Sequence, residues 1–298
     1  MGVLFLFIDG IGVGENSERN PFSTIELPGF YTLLNQQRLT STSKEIYSDR
    51  ILFKSIDANL DIDGLPQSGT GQASLFSGQN ASKIIGKHFG PYPHTGNKHL
   101  LTDESIFNQL QKREKSVHFI NAFPNVFFER SKIRNRWSSC TLMTRSAGLK
   151  INSEMEVIQG KAITAEILQD FWREKLNIDI PVIDYEIAAN RVYNAVDTFD
   201  FTLMEYYLTD KAGHEQSMDA AAASLERIDG FIQSYLRLMD TNDTLIITSD
   251  HGNLEELTVR THTRNPVPFI VFGRGAGQFM DVKSIVDVTP AIISYFSN

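Results

Sequence analysis

The 298-residue chain predicts an α/β fold with a doubly wound, mostly parallel sheet, helices on both of its faces and a small inserted cap. Two observations predict the sheet. Short, continuously apolar runs recur along the chain, and such runs are typical of parallel strands that are buried on both sides. Helical stretches separate these runs, and this alternation favours right-handed crossovers around one open sheet.

The predicted buried parallel strands are residues 3–8, 117–120, 201–208 and 244–248. A fifth apolar run, 267–272, lies between prolines and a glycine. Among the helices the clearest is 217–239, because its apolar residues recur at helical spacing. These residues are Leu225, Ile228, Phe231, Ile232 and Leu236.

Residues 1–123 and 194–298 are predicted to form the core, and residues 124–193 a small cap. The cap begins with an irregular, arginine-rich stretch, and two helical segments follow near 163–176 and 187–196. Guanidinium groups bind phosphate and carboxylate groups bidentately, so its arginines are candidate substrate ligands. A solvated basic surface is the alternative for these residues, which are Arg130, Arg134, Arg136 and Arg145.

The net charge of −8 argues against nucleic acid or an anionic membrane as a partner. The single cysteine, Cys140, excludes an internal disulfide and a cysteine-rich zinc site, and it favours a reducing compartment. The apolar start lacks a basic segment and reaches Asp9 too early for a signal peptide or a membrane span. The expected location is the cytoplasm.

Three predicted strands are followed by aspartate, at Asp9, Asp210 and Asp250. The carboxyl ends of parallel strands share one edge of a sheet, where ligands bind, so the three carboxylates should converge. Aspartate after a strand is also common in turns. The histidines near these positions favour a functional interpretation.

His214 follows Asp210 by four residues, so one helical turn would direct both side chains at a single cation. His251 adjoins Asp250, and His262 precedes the last apolar run. Mixed carboxylate and imidazole ligands suit zinc or manganese better than calcium or magnesium. Six ligands are enough for two divalent metal ions. Four further histidines are interpreted as structural: His88, His94, His99 and His118.

Residues 64–78 are rich in small residues and predict a loop that enters a helix. The N-terminal amides and dipole of such a helix favour a phosphate group. Ser68 or Thr70 lies at the start of this helix. Each is a candidate nucleophile, and each is equally suited to cap the helix.

Five motifs together resemble the alkaline phosphatase superfamily, in particular its cofactor-independent phosphoglycerate mutase and phosphopentomutase branch. The resemblance covers about residues 1–90 and 200–298. In order, the motifs are Phe-Ile-Asp-Gly in the first strand, Ser-Gly-Thr-Gly-Gln from Ser68, Thr-Asp-Lys-Ala-Gly-His from Thr209, Ser-Asp-His-Gly-Asn from Ser249, and Thr-His-Thr from Thr261.

The resemblance implies that Asp210, His214 and His262 hold one metal. It implies that Asp9, Asp250 and His251 hold the other, together with the oxygen of the nucleophile. In those mutases the nucleophile stands three residues before the glycine of a Gly-His pair, which favours Ser68 over Thr70. This chain departs from the pattern at Gln72, where the mutases carry histidine. The implied reaction is phosphatase or phosphomutase chemistry on a small phosphorylated metabolite through a phosphoserine intermediate.

Other functions are also compatible with parts of the sequence. A phosphodiesterase would use the same core, since residues of the cap select the leaving group. A non-catalytic binding protein could be stabilised by the same metals. A sulfatase would need a Pro and an Arg after the nucleophile, which the Ser68 segment lacks. The glycines from Gly10 to Gly14 do not match the spacing of a dinucleotide-binding loop.

Overall fold

The computed structural model describes residues 2–297 and contains a seven-stranded mixed sheet with helices packed around it. The strand order across this sheet is β2-β3-β9-β8-β1-β7-β4, and β5 and β6 form a separate pair. The strands are β1 Val3–Ile8, β2 Ile46–Tyr47, β3 Ile51–Ile56, β4 Val117–Phe119, β5 Asn121–Ala122, β6 Ile163–Thr164, β7 Phe201–Tyr206, β8 Thr244–Thr248 and β9 Val267–Gly273.

Fourteen α-helices and one short 3₁₀ helix, Ala276–Phe279, lie in the described part of the chain. The α-helices are α1 Pro21–Thr24, α2 Pro28–Leu33, α3 Ser68–Ser77, α4 Ala81–Ile85, α5 Lys98–Thr102, α6 Ile106–Gln111, α7 Asn125–Arg134, α8 Ser139–Ser146, α9 Glu154–Ile158, α10 Asp170–Glu174, α11 Tyr185–Thr198, α12 Leu208–Glu215, α13 Met218–Leu238 and α14 Ile285–Tyr295.

The predicted fold class is confirmed, and the four predicted parallel strands lie side by side. β8, β1, β7 and β4 are parallel neighbours, so their carboxyl ends share one edge. β9, formed by the fifth apolar run, pairs antiparallel with both β8 and β3. Continuous apolar runs are typical of parallel strands, but what they report is burial on both faces, and β9 is a buried strand with antiparallel neighbours.

The two faces of the sheet bury separate apolar clusters. Along β1, Phe5 and Phe7 pack on the face covered by α3 and α14, while Leu4 and Leu6 pack on the face covered by α2, α11 and α13. All four side chains are fully buried. Burial of such a side chain stabilises the fold by about 1.5–3 kcal/mol. The sheet is therefore a rigid support for the residues at its carboxyl edge.

The predicted helix 217–239 is confirmed as α13, where the Ser217 side chain accepts a hydrogen bond from the Ala220 N–H. The prediction for 201–208 was wrong at its end, because α12 begins at Leu208 and places Asp210 in a helix. The predicted helical segment near 163–176 is helical only in α10, since Ile163–Thr164 pairs with β5 as a strand, and the predicted segment 187–196 is confirmed within α11.

The arginine-rich stretch was predicted as irregular, whereas it forms α7 and α8. α7 buries only Ser131, so it has no apolar face for a sequence pattern to detect. α8 buries Cys140 and Met143 in the apolar cluster on the α3 and α14 face of the sheet. A small separate cluster surrounds Trp172. The division into core and cap stays a prediction. Within residues 2–297, no helix is both long and apolar enough to span a bilayer.

Candidate metal centre

The six predicted metal ligands come from four segments around the carboxyl edge of the sheet. Asp9 directly follows β1, and the adjacent pair Asp250 and His251 follows β8. Asp210 and His214 lie one turn apart on α12, and His262 lies in the segment that connects β8 to β9. Because β8, β1 and β7 are parallel neighbours, the sheet brings these segments together.

The first ligand set consists of Asp9, Asp250 and His251, whose ligand atoms all lie within 4.8 Å of one another. His251 Nε2 is 3.4 Å from Asp9 Oδ1 and 3.6 Å from Asp250 Oδ2. Among the described residues, Asp9 Oδ1 and both oxygens of Asp250 have no hydrogen-bond partner. Buried carboxylate oxygens without partners are costly, and a cation bound between them removes that cost.

The second predicted set is Asp210, His214 and His262, whereas the three residues whose ligand atoms lie within 4.8 Å of one another here are Asp210, His251 and His262. His214 Nδ1 is 2.8 Å from the Arg260 carbonyl oxygen, and His262 Nδ1 is 2.7 Å from that of Pro66. Carbonyl oxygens only accept, so both Nδ1 atoms carry the proton. The two Nε2 atoms, 3.2 Å apart, then direct their lone pairs at each other in the neutral rings. A shared cation makes this arrangement favourable.

Ser68 is placed beside the first set. It is the first residue of α3, with Gln67 at the N-cap position, and its Oγ lies 2.9 Å from His251 Nε2. Thr70 is fully buried, and its Oγ1 accepts the Phe89 N–H at 3.1 Å and donates to the Gln67 carbonyl oxygen at 3.2 Å. The Thr70 hydroxyl therefore joins two loops, and only Ser68 contacts a predicted ligand.

A comparison with protein families agrees with this geometry. The family model of the Metalloenzyme superfamily matches residues 1–297. The chain belongs to the Metalloenzyme superfamily. Membership implies divalent metal ions, and the unpaired oxygens and facing imidazoles of the two ligand sets fit such ions.

Curated relatives of this metalloenzyme include 2,3-bisphosphoglycerate-independent phosphoglycerate mutases. The one from Mycoplasma genitalium is 23% identical over 96% of this chain and 57% of its own length. The one from Clostridioides difficile is 33% identical over 33% of this chain and 21% of its own length. The metalloenzyme thus spans little more than half the length of the curated relatives that it matches.

Two solved structures share the fold of the metalloenzyme. The PH0037 protein from Pyrococcus horikoshii aligns with a TM-score of 0.60 and 14% identity, over 99% of this chain and 96% of the other. Alkaline phosphatase from the Antarctic bacterium TAB5 aligns with a TM-score of 0.58 and 12% identity, over 99% of this chain and 98% of the other. The metalloenzyme therefore has an alkaline phosphatase-like fold.

The protonation of the metal centre follows from its burial. Burial raises the pKa of Asp9 well above its ordinary value, and the nearby carboxylates Asp250 and Asp210 raise it further. Burial likewise raises the pKa of Asp250, to about 7, with a further contribution from Asp210. Burial lowers the pKa of His251, and it lowers that of His262 to about 4, with His251 adding to the latter shift. The carboxyls retain protons near neutrality, while these imidazoles are neutral and free to bind a metal.

Metal binding by the metalloenzyme is expected to release protons below about pH 7. An incoming cation must displace the proton that Asp250 retains, so this contribution to affinity should rise with pH up to about 7, and the raised pKa of Asp9 acts in the same direction. Titration calorimetry in two buffers of different ionisation enthalpy measures the protons released per metal. Proton release that grows from about pH 6 to about pH 8 would contradict this assignment.

Three residues near the predicted ligands were assigned no role from the sequence, although Gln72 and Asn253 lie in two of its motifs. Gln72 Nε2 donates to Asp9 Oδ2 at 3.3 Å, and Asn253 Nδ2 donates to Asp210 Oδ1 at 2.7 Å. Glu205 is buried on β7, and burial, with a smaller contribution from Asp250, raises its pKa to about 7. A glutamate inside the apolar run 201–208 was the available signal for Glu205.

Among the four candidate arginines, Arg136 is linked through Tyr92 to Gly69, the residue that follows Ser68. Its guanidinium lies over the Tyr92 ring, 5.9 Å from the centroid. The Tyr92 carbonyl oxygen packs so closely on Gly69 that a methyl group there would overlap it. Arg145 lies over Trp137 at 3.8 Å, and Arg130 and Arg134 are exposed on α7.

Two of the histidines interpreted as structural have contacts away from both ligand sets. His88 contacts the Ser82 hydroxyl and the Ile62 carbonyl oxygen. The His118 ring stacks on Phe199 at 4.6 Å.

Proposed function

We propose that this metalloenzyme transfers the phosphoryl group of a small phosphate ester through a phosphoserine at Ser68. The observation that carries the proposal is the Ser68 hydroxyl, 2.9 Å from His251 Nε2 at the start of α3. The similarity to phosphoglycerate mutases and the alkaline phosphatase-like fold support the same chemistry. In a phosphatase, water would hydrolyse the phosphoserine. In a mutase, a second hydroxyl of the retained substrate would accept the phosphoryl group from it.

In this proposal Asp9, Asp250 and His251 hold one divalent ion, manganese or zinc, and Asp210, His214 and His262 hold the other. Such ions supply positive charge that favours the ionised serine hydroxyl and neutralises the phosphate oxygens. The first-turn amides and dipole of α3 add to the attraction for the phosphate at Ser68. Burial of the first set keeps competing water away from its oxygen and nitrogen ligands.

The test is a substrate panel with manganese or zinc, comprising an aryl phosphate, sugar phosphates, phosphoglycerates, nucleotides and diesters. Metal-dependent release or migration of phosphate from a monoester is the expected result. Turnover of diesters alone would instead show a phosphodiesterase. No turnover of any substrate, combined with unfolding on metal removal, would show a binding protein stabilised by metal.

We further propose that the cap, residues 124–193, presents Arg136 to a second anionic group of the substrate. Arg136→Ala is then expected to raise KM for a substrate with a second anionic group by about 10- to 100-fold, the effect of one lost charged hydrogen bond. KM for a simple aryl phosphate should change much less. Steady-state kinetics on both substrates measures the difference.

Arg130→Ala is the matched control for that experiment, because Arg130 is an exposed arginine of the same cap. Equal effects of the two substitutions on both substrates would contradict the role of Arg136.

A further inference from the structure

Glu255 is a buried carboxylate that lies beside the metal centre and belongs to neither ligand set. Its side chain is 1% exposed. Oε2 accepts the backbone N–H groups of Gly12 at 2.7 Å and Asn253 at 2.8 Å. Oε1 accepts the Thr263 hydroxyl and, at 3.0 Å, the Asn265 amide. Four donors from three segments therefore converge on one carboxylate.

Each of these three segments carries metal ligands. Gly12 follows Asp9 by three residues, Asn253 follows the Asp250–His251 pair, and Thr263 follows His262 directly. The fourth segment, α12, is reached through Asn253, whose side-chain amide donates to Asp210. Glu255 thus contacts, directly or through one residue, every segment that contributes to the two sets.

Three glycines allow the backbone to pack closely against the Glu255 side chain. A methyl group added at Gly12 or Gly252 would overlap the Glu255 carboxylate, and one at Gly14 would press on its Cβ and Cγ. All four partners are neutral donors, and within residues 2–297 no lysine or arginine pairs with Glu255. A glutamine here could accept the two backbone N–H groups with its one oxygen, but its N–H groups would then force Thr263 and Asn265 to reverse their hydrogen bonds, so the observed set of four donors is matched only by a carboxylate.

We propose that Glu255 is a positioning residue that holds the loops of Asp9, Asp250–His251 and His262 in one arrangement and thereby couples the two metal positions. The proposal rests on the metal centre of the proposed function. It does not depend on the reaction, because its measured quantity is metal affinity. Partners that orient metal ligands typically alter affinity by about 10- to 100-fold when they are removed.

The test is a calorimetric titration of the metal-free protein with manganese or zinc. Glu255→Gln is expected to weaken binding at both positions by about 10- to 100-fold. Asp229→Asn is the matched control. Asp229 is also a buried carboxylate, 2% exposed, and it accepts the N–H groups of Gly29 and Phe30 at 3.1 and 2.9 Å, on α2. This control should lose stability and keep its metal affinity.

Unchanged affinity in Glu255→Gln at both positions, or an equal loss in Asp229→Asn, would overturn the proposal. If Glu255→Gln does not fold, Thr263→Val and Asn265→Ala remove one donor each and should weaken binding in the same direction by smaller factors. Unchanged affinity in both would then overturn it. Wild-type protein that binds no metal would overturn the metal centre itself, whereas normal metal binding without turnover would overturn only the proposed reaction.

Discussion

Replacement of Ser68 by alanine is expected to lower the turnover of an aryl phosphate by at least about a thousandfold. The substitution removes the oxygen that would form the phosphoserine, and no other hydroxyl is known at that point of the site. The variant should still bind metal, because all six carboxylate and imidazole ligands remain. Steady-state turnover and metal content by elemental analysis measure the two effects.

Thr70→Val is the control, because it removes the alternative hydroxyl with little change of volume. It is expected to reduce stability, since the Thr70 hydroxyl joins Phe89 to Gln67, and to retain turnover. Full activity in Ser68→Ala with loss of activity in Thr70→Val would exchange the roles of the two residues.

Asp250→Asn is expected to affect metal binding and metal-free stability in opposite directions. The substitution removes a charged ligand, so affinity for the first metal should fall by at least about 100-fold. In the metal-free protein, the pKa of Asp250 is raised from 3.8 to about 7, so the fold loses stability as pH rises between these values and the loss is complete above about pH 7. At about pH 8 the variant should therefore be more stable than the wild type, by about 1–4 kcal/mol.

Urea unfolding of metal-free samples at about pH 5 and about pH 8 measures this effect. The gain in stability should be largest at the higher pH, because the Asp250 of the wild type stays protonated at the lower pH. Asp229→Asn provides the control away from the metal centre. A loss of stability at both pH values in Asp250→Asn would contradict the proposed electrostatic strain.

The sequence predicted the parts of the fold that rest on apolar pattern. β1 is an uninterrupted apolar run, β8 has three consecutive apolar residues at its centre, and both were found. β3 was missed, because Lys54 and Ser55 interrupt its pattern while the strand is held by pairing with β9. α7 was missed for the related reason that it buries only Ser131. Strands and helices that are stabilised by residues distant in the sequence cannot be predicted from their own apolar pattern.

The candidate site shows the same limit. Its six predicted ligands stand out because aspartate and histidine repeat near strand ends. Glu255 and Asn253 act on backbone groups and side chains far along the chain, such as Gly12 and Asp210. Their importance depends on the folded arrangement of loops, which no spacing of residue types reveals.

Anomalous diffraction from crystals grown with manganese tests the central claim most directly. The account predicts two metal peaks about 3.5–4 Å apart beside Ser68. One should be bound by Asp9, Asp250 and His251, and the other by Asp210, His214 and His262. A single peak, or manganese bound only at other residues, would contradict the two-metal centre.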